Sequence, residues 1–307
     1  MFDLHRLRLL RELKHRGTLA SVAAALSYSP SSVSQQLSQL EAEVGVQLLE
    51  PVGRRVRLTD QAEILVAHTE RVLERLERAE ADLATSLTEL TGTLRIACFQ
   101  TAALTLVPSA LNLLRGLHPG LRIHITQMAP EAAMLALQAR DFDLAIVEEY
   151  PGNPNPRLAE LEQEDLLDDP LHLALPASAG HAAGSSPTAS LRSLADHPWT
   201  MEPEGTAARN WGMTLCRSAG FEPDIRFETT DLLITLRLVE QGHAAALLPG
   251  LMWKGQPTTV ALRPLPAGHR TRRIFTAVRR GRSQHPAIQA CRRALREAAA
   301  ESEPTRS

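Results

Sequence analysis

Apolar residues recur at helical spacing from the start of the chain. Leu4, Leu7, Leu10 and Leu13 stand between charged neighbours and predict an amphipathic helix that Gly17 stops. Thr18 is placed to cap a short alanine-rich helix over 19–26. The break Ser27-Tyr28-Ser29-Pro30 puts a cap at Ser29 and a proline at the first position of a third helix, 31–44, closed by Gly45. Val33, Leu37, Leu40 and Val44 make the buried stripe of that helix. Two short extended pieces about Gly53 follow, and then a long helix over 59–90. In it Ala62, Thr69, Leu76, Leu83 and Leu90 form one heptad set, and Val66, Leu73, Glu80 and Leu87 form the other. Such a stripe predicts pairing with a second copy through Val66, Leu73, Leu76, Leu83 and Leu87. The alternative, a helix lying on the C-terminal part of the same chain, calls for a wider stripe.

After Thr91-Gly92-Thr93 the period changes. Strands are expected over 94–98, 121–127, 143–147, 170–175, 225–228, 244–248, 258–265 and 272–278, with helices over 105–117, 131–139, 205–219, 232–241 and 286–300. Alternating strands and helices predict parallel βαβ units in two lobes, with the chain crossing between them twice. The expected division is a head (1–58), a stalk (59–90) and a C-terminal domain (91–301). Within the last, lobe one takes about 93–166 and 262–300, and lobe two about 167–261; 302–307 reads as a tail.

Composition narrows the class. With 44% hydrophobic and 22% charged residues the chain is ordinary globular material. No apolar run reaches the ~20 residues of a membrane span, and the N-terminus lacks a signal-peptide core, so a cytoplasmic protein without membrane contact is expected. Cys98, Cys216 and Cys291 are odd in number and far apart, which argues against both disulfides and a thiolate metal site. The net charge of −2 hides an asymmetry: eight basic against five acidic residues over 1–58, then three against eight over 59–90.

The third helix surrounds its apolar stripe with Ser31, Ser32, Ser34, Gln35, Gln36, Ser38 and Gln39, a face without charge until Glu41. Taken alone this is a polar surface helix. Uncharged donor-acceptor groups are also what base edges pair with in a major groove. Arg54, Arg55 and Arg57 on the following hairpin suit phosphate or the minor groove. The candidate DNA-binding residues are therefore Thr18, Ser29, Ser31, Ser32, Ser34, Gln35, Gln36, Gln39, Arg54, Arg55 and Arg57.

Over 20–63 the run A-S-V-A-A-A-L-S-Y-S-P-S-S-V-S-Q-Q-L-S-Q-L-E-A-E-V-G-V-Q-L-L-E-P-V-G-R-R-V-R-L-T-D-Q-A-E resembles the DNA-binding domain of LysR-type transcriptional regulators. It departs from the usual pattern at Pro30-Ser31, at Gln35 where arginine is common, and at Leu49 and Pro51 in place of phenylalanine and arginine. Further on, D-F-D-L-A-I (141–146), L-A-D-H-P-W (194–199) and L-V-E-Q-G-H-A-A-A-L-L-P (238–249) resemble segments of the same family's periplasmic-binding-protein-like effector domain. The resemblance implies a mixed α and α/β fold: a winged helix-turn-helix, a linker helix and a two-lobed α/β domain. It also implies a homodimer or homotetramer on a partly palindromic double-stranded DNA site, contact with RNA polymerase, and a small-molecule effector in the cleft.

Ligands of open α/β sheets sit beyond the carboxyl ends of the strands. That rule selects Gln100, Thr101, Met128, Glu148, Glu202, Thr230, Asp231 and Pro249. Thr101 reads equally as a helix cap. Glu148, Glu202 and Asp231 give the cleft an acidic cast that suits a cationic group, unless they are solvated loop acids. No G-x-S-x-G, G-x-G-x-x-G, P-loop or H-E-x-x-H run occurs, so no enzyme, cofactor or metal site is expected.

Overall fold

In this computed structural model, residues 2–53, 55–179, 186–266, 268 and 270–300 are described. Helix α1 (Leu4–Arg16) starts where the Asp3 carboxylate accepts from the His5 and Arg6 amides, at 2.7 and 3.2 Å, and ends at left-handed Gly17 (φ +76°). Helix α2 (Leu19–Leu26) is capped by Thr18 and α3 (Pro30–Val44) by Ser29, each hydroxyl accepting at 3.1 Å. Strands β1 (Leu49–Val52) and β2 (Arg55–Leu58) form an antiparallel hairpin. The Glu41 carboxylate ties it to α3 by accepting from the Leu48 and Leu49 amides. Leu10, Leu13, Val22, Val33, Leu37 and Leu40 fill the core of the head.

Helix α4 (Asp60–Thr85), capped by Thr59, departs from the expected stalk in two ways. It stops at Thr85, so Leu87 and Leu90 lie beyond it. Its buried stripe is Ala62, Val66, Thr69, Leu73, Glu77 and Ala81, a face of ordinary α-helical pitch covered by the chain itself. Ala62 and Val66 complete the core of the head. Further along, α4 rests on the turn Arg280–Arg282 of the C-terminal domain. A side chain at Gly281 would stand 2.6 Å from the Glu74 carbonyl oxygen, so the close approach requires glycine.

The C-terminal domain is built on a sheet of β3 (Gly92–Cys98), β4 (Leu121–Gln127), β5 (Leu144–Glu149), β6 (Leu161–Leu175), β9 (Ala246–Pro249), β10 (Ala261–Arg263) and β11 (Thr271–Arg279). The order is β10-β6-β11-β5-β3-β4, with β9 also on β6. Helices α5 (Gln100–Leu117) and α10 (Pro286–Ala300) cover one face of lobe one and α6 (Pro130–Gln138) the other. Lobe two adds α7 (Pro187–Arg192), β7 (Pro198–Met201), α8 (Ala207–Ser218), β8 (Asp224–Glu228) and α9 (Leu232–Glu240), with Trp199 and Trp211 in its core.

The sheet is mixed rather than uniformly parallel: β3 runs parallel to β4 and β5, whereas β6 and β11 run antiparallel to their neighbours. Fifteen-residue β6 crosses both lobes, its first part on β11 and its last on β9 and β10. Only its apolar end, 170–175, is predicted from periodicity, because Glu162-Gln163-Glu164-Asp165 reads as loop. Arg292 from α10 and Arg273 from β11 hold those carboxylates in the strand. Residues 262–265 also move from lobe one to lobe two, since β10 pairs with the far half of β6 and Leu265 packs with Trp199.

Candidate functional site

The outer side of α3 is polar in the folded chain. Ser31, Ser34, Gln35, Ser38 and Gln39 are exposed, while Val33, Leu37 and Leu40 point into the core. Proline at N1 and a serine cap leave the start of α3 with its positive end toward solvent. Gln36 is turned back, its Oε1 accepting from Arg6 Nε at 3.0 Å. Thr18 and Ser29 are occupied as helix caps, and Ser32 is half-buried behind Ser29. On the hairpin, Arg57 is exposed and pairs with Glu50 at 3.1 Å. Arg55 opens β2, and Arg54 lies outside the described residues.

On α4, Val66 and Leu73 are buried within the chain, which removes them from any surface open to a second copy. Val72, Leu76 and Leu83 are exposed and form a short apolar stripe beside the buried one; Ile64 is exposed on another side of the helix, and exposed Leu87 follows the helix end. Ion pairs fasten the neighbouring face of α4 and the end of α1 to lobe one. Arg279 donates to Glu77 at 2.7 Å, Arg140 also pairs with Glu77, and Arg16 of α1 reaches Asp141 at 2.7 Å. Arg11, 2% exposed, bonds Glu70 of α4 at 2.7 Å and the Gln138 carbonyl of α6. Head, stalk and lobe one thus share one electrostatic network.

Between the lobes lies a cleft of about 430 Å³. Gln100, Thr101, Met128, Glu148, Glu202 and Thr230 all line it. Pro249 does not: it is buried in β9 opposite Leu171. Asp231 caps α9 and binds Gln100 across the lobes rather than facing the cleft. Thr101 caps nothing; its buried hydroxyl accepts from Arg272 Nη2 at 2.7 Å. Arg272 is the residue that periodicity could not single out. Its guanidinium, 1% exposed, also donates to Asp169 at 2.8 Å and to Glu148, below Phe99 and Tyr150. Burial opposes its charge, but the facing carboxylates outweigh burial and its pKa is raised.

Among the described residues Glu202 has no such partner. Burial first, then repulsion from Glu148, push its carboxyl up to about 7, against a partial offset from Thr206 and Arg272. The three cysteines are buried, and burial pushes their thiols up to about 11 at Cys98 and about 12 at Cys216 and Cys291. Among the described residues no three or more His, Cys, Asp or Glu side chains come together as metal ligands, and no helix is long and apolar enough to cross a membrane.

A winged helix-turn-helix joined by a helix to a two-lobed cleft defines a DNA-binding protein with a ligand-binding domain. Residues 4–63 match the family described as bacterial regulatory helix-turn-helix protein, lysR family, and residues 87–300 match the LysR substrate binding domain. The chain belongs to the LysR family of transcriptional regulators, which are ligand-responsive DNA-binding proteins and not enzymes. It is 26% identical over 247 residues to the transcriptional dual regulator GltC of Bacillus subtilis, covering 80% of each chain. It is 28% identical over 244 residues to a probable hydrogen peroxide-inducible genes activator of Mycobacterium avium, covering 79% of this chain and 76% of that one. Full-length OxyR from Pseudomonas aeruginosa shares the fold with a TM-score of 0.69 at 20% identity, over 100% of this chain and 99% of that one. Full-length CbnR in complex with its target DNA does so with a TM-score of 0.55 at 22% identity, over 96% and 99%.

Proposed function

We propose that this regulator works as a dimer or tetramer on a partly palindromic promoter site in the cytoplasm, switched by a small metabolite in the cleft and acting on RNA polymerase. Ser31, Ser34, Gln35 and Gln39 read base edges, and Arg54, Arg55 and Arg57 hold phosphate or enter the minor groove. The exposed stripe of Val72, Leu76 and Leu83 pairs two stalks, and the protein dyad then meets the DNA dyad. A metabolite that favours one arrangement of the lobes changes the spacing of the heads through the network on α4.

The observation that carries this reading is the uncharged Ser and Gln face of α3, exposed beside the hairpin. Sensing by ligand rather than by thiol oxidation follows from the buried cysteines, since the thiolate is the reactive form. The test is a gel shift on the DNA upstream of the protein's own coding region, with and without a small-molecule extract. A specific shift that the extract alters is expected; equal affinity for random DNA would remove the reading.

A further inference from the structure

We infer that the cleft takes a small ligand bearing an ammonium group, held by Glu202 at the mouth of an inner pocket in lobe two. The inference deepens the function proposed above and rests on it, because it names the chemistry of that same ligand.

Among the described residues lining the cleft, Glu131, Glu148 and Glu202 face a single cation, Arg272. That guanidinium is already committed to Asp169, Glu148 and Thr101. An incoming carboxylate therefore meets a net negative wall and a cation with its donors taken. An incoming ammonium meets Glu202, which has no cation of its own and carries the added repulsion of Glu148 and Glu131. Neutralising it relieves that repulsion across the two lobes, since Glu131 and Glu148 belong to lobe one and Glu202 to lobe two.

Behind Glu202 is a pocket of about 30 Å³ that shares Tyr150, Glu202, Ala208 and Leu232 with the main cleft and adds Thr200, Trp211 and Thr235. Its volume suits one small polar group. Thr200 is 2% exposed, and its hydroxyl has no hydrogen-bond partner among the described residues. A buried hydroxyl left unpaired costs free energy that a donor restores. An ammonium carries three donors, enough to serve both the Glu202 carboxylate and the Thr200 Oγ1. Tyr150 and Trp211 also line the pocket.

The experiment is isothermal titration calorimetry on the full-length protein with 1,4-diaminobutane, L-lysine and succinate, repeated on Glu202→Gln and Thr200→Val after each is checked for folding by circular dichroism. At least one amine is expected to bind, with a loss of about tenfold or more in Glu202→Gln, the size of one charge-assisted hydrogen bond, and a smaller loss in Thr200→Val. Amine binding that neither substitution weakens, or no amine binding at all, overturns the inference. If succinate alone binds, the cleft remains a ligand site of other chemistry. If no probe binds and the extract leaves the gel shift unaltered, the proposed function falls with it.

Discussion

Gln100 and Asp231 join the two lobes across the mouth of the cleft. The Gln100 amide nitrogen donates to Asp231 Oδ1 at 2.9 Å, and its oxygen accepts from the Leu232 amide at 2.9 Å. One residue of lobe one thereby completes the N-terminal cap of a helix in lobe two. The hydrogen bond from Gln100, with that from the Leu233 amide, holds the Asp231 carboxyl below its ordinary value. Gln100→Ala is expected to cost about 1–2 kcal/mol in thermal stability, the worth of two ordinary hydrogen bonds, and to change the response of DNA binding to ligand. Calorimetric unfolding paired with a gel shift checks both; an unchanged melting point and response would show that the bridge holds nothing.

The polar face of α3 divides into readers and supports. Gln35→Ala is expected to cost about 1–3 kcal/mol on the specific site and to relax base choice, whereas Arg57→Ala weakens all sequences alike and flattens the salt dependence. Fluorescence anisotropy on specific and random duplexes at several salt concentrations separates them. Equal loss on both duplexes for Gln35→Ala would count against base reading.

Two faces of α4 give opposite outcomes for the same substitution. Leu83→Asp, on the exposed stripe, is expected to yield a folded monomer with weakened DNA binding, while Val66→Asp buries an unpaired charge in the head and unfolds it. Sedimentation velocity with circular dichroism distinguishes the cases. A dimer retained by Leu83→Asp would move the pairing surface elsewhere.

Gly281 and Glu77 set how α4 lies on lobe one. Glu77→Leu leaves Arg279 and Arg140 without their shared carboxylate and is expected to cost about 3–5 kcal/mol. Gly281→Ala drives a methyl group toward the Glu74 carbonyl and is expected to cost about 1–3 kcal/mol. Chemical denaturation measures both, and protease sensitivity between head and lobe should rise in each.

Glu202 predicts a pH dependence of stability. Its carboxyl sits at about 7 in the folded chain against an ordinary 4.5, so the folded state holds the proton more tightly. The stability this contributes is fully present below the ordinary value and is lost as pH rises through about 7. The melting temperature of wild type relative to Glu202→Gln is therefore expected to fall between pH 4.5 and pH 8. A constant difference would show that Glu202 titrates normally.

Much of the head was legible in the residues because its signals are local. Caps at Thr18 and Ser29, glycine stops at Gly17 and Gly45, and the three- and four-residue spacing of Val33, Leu37 and Leu40 act within a turn or two of helix, so the chain names them directly. The same spacing left the serines and glutamines facing out. What periodicity could not decide was which apolar stripe of α4 the chain would cover for itself, because Val66 and Leu73 read the same whether a second copy or lobe one lies against them. The floor of the cleft was hidden for a related reason. Arg272 meets Thr101, Glu148 and Asp169 only because β11 lies between β5 and β6 in a fixed register, and that pairing joins residues more than a hundred positions apart. Local pattern sets the elements; sheet register and the burial of charge set which of them meet.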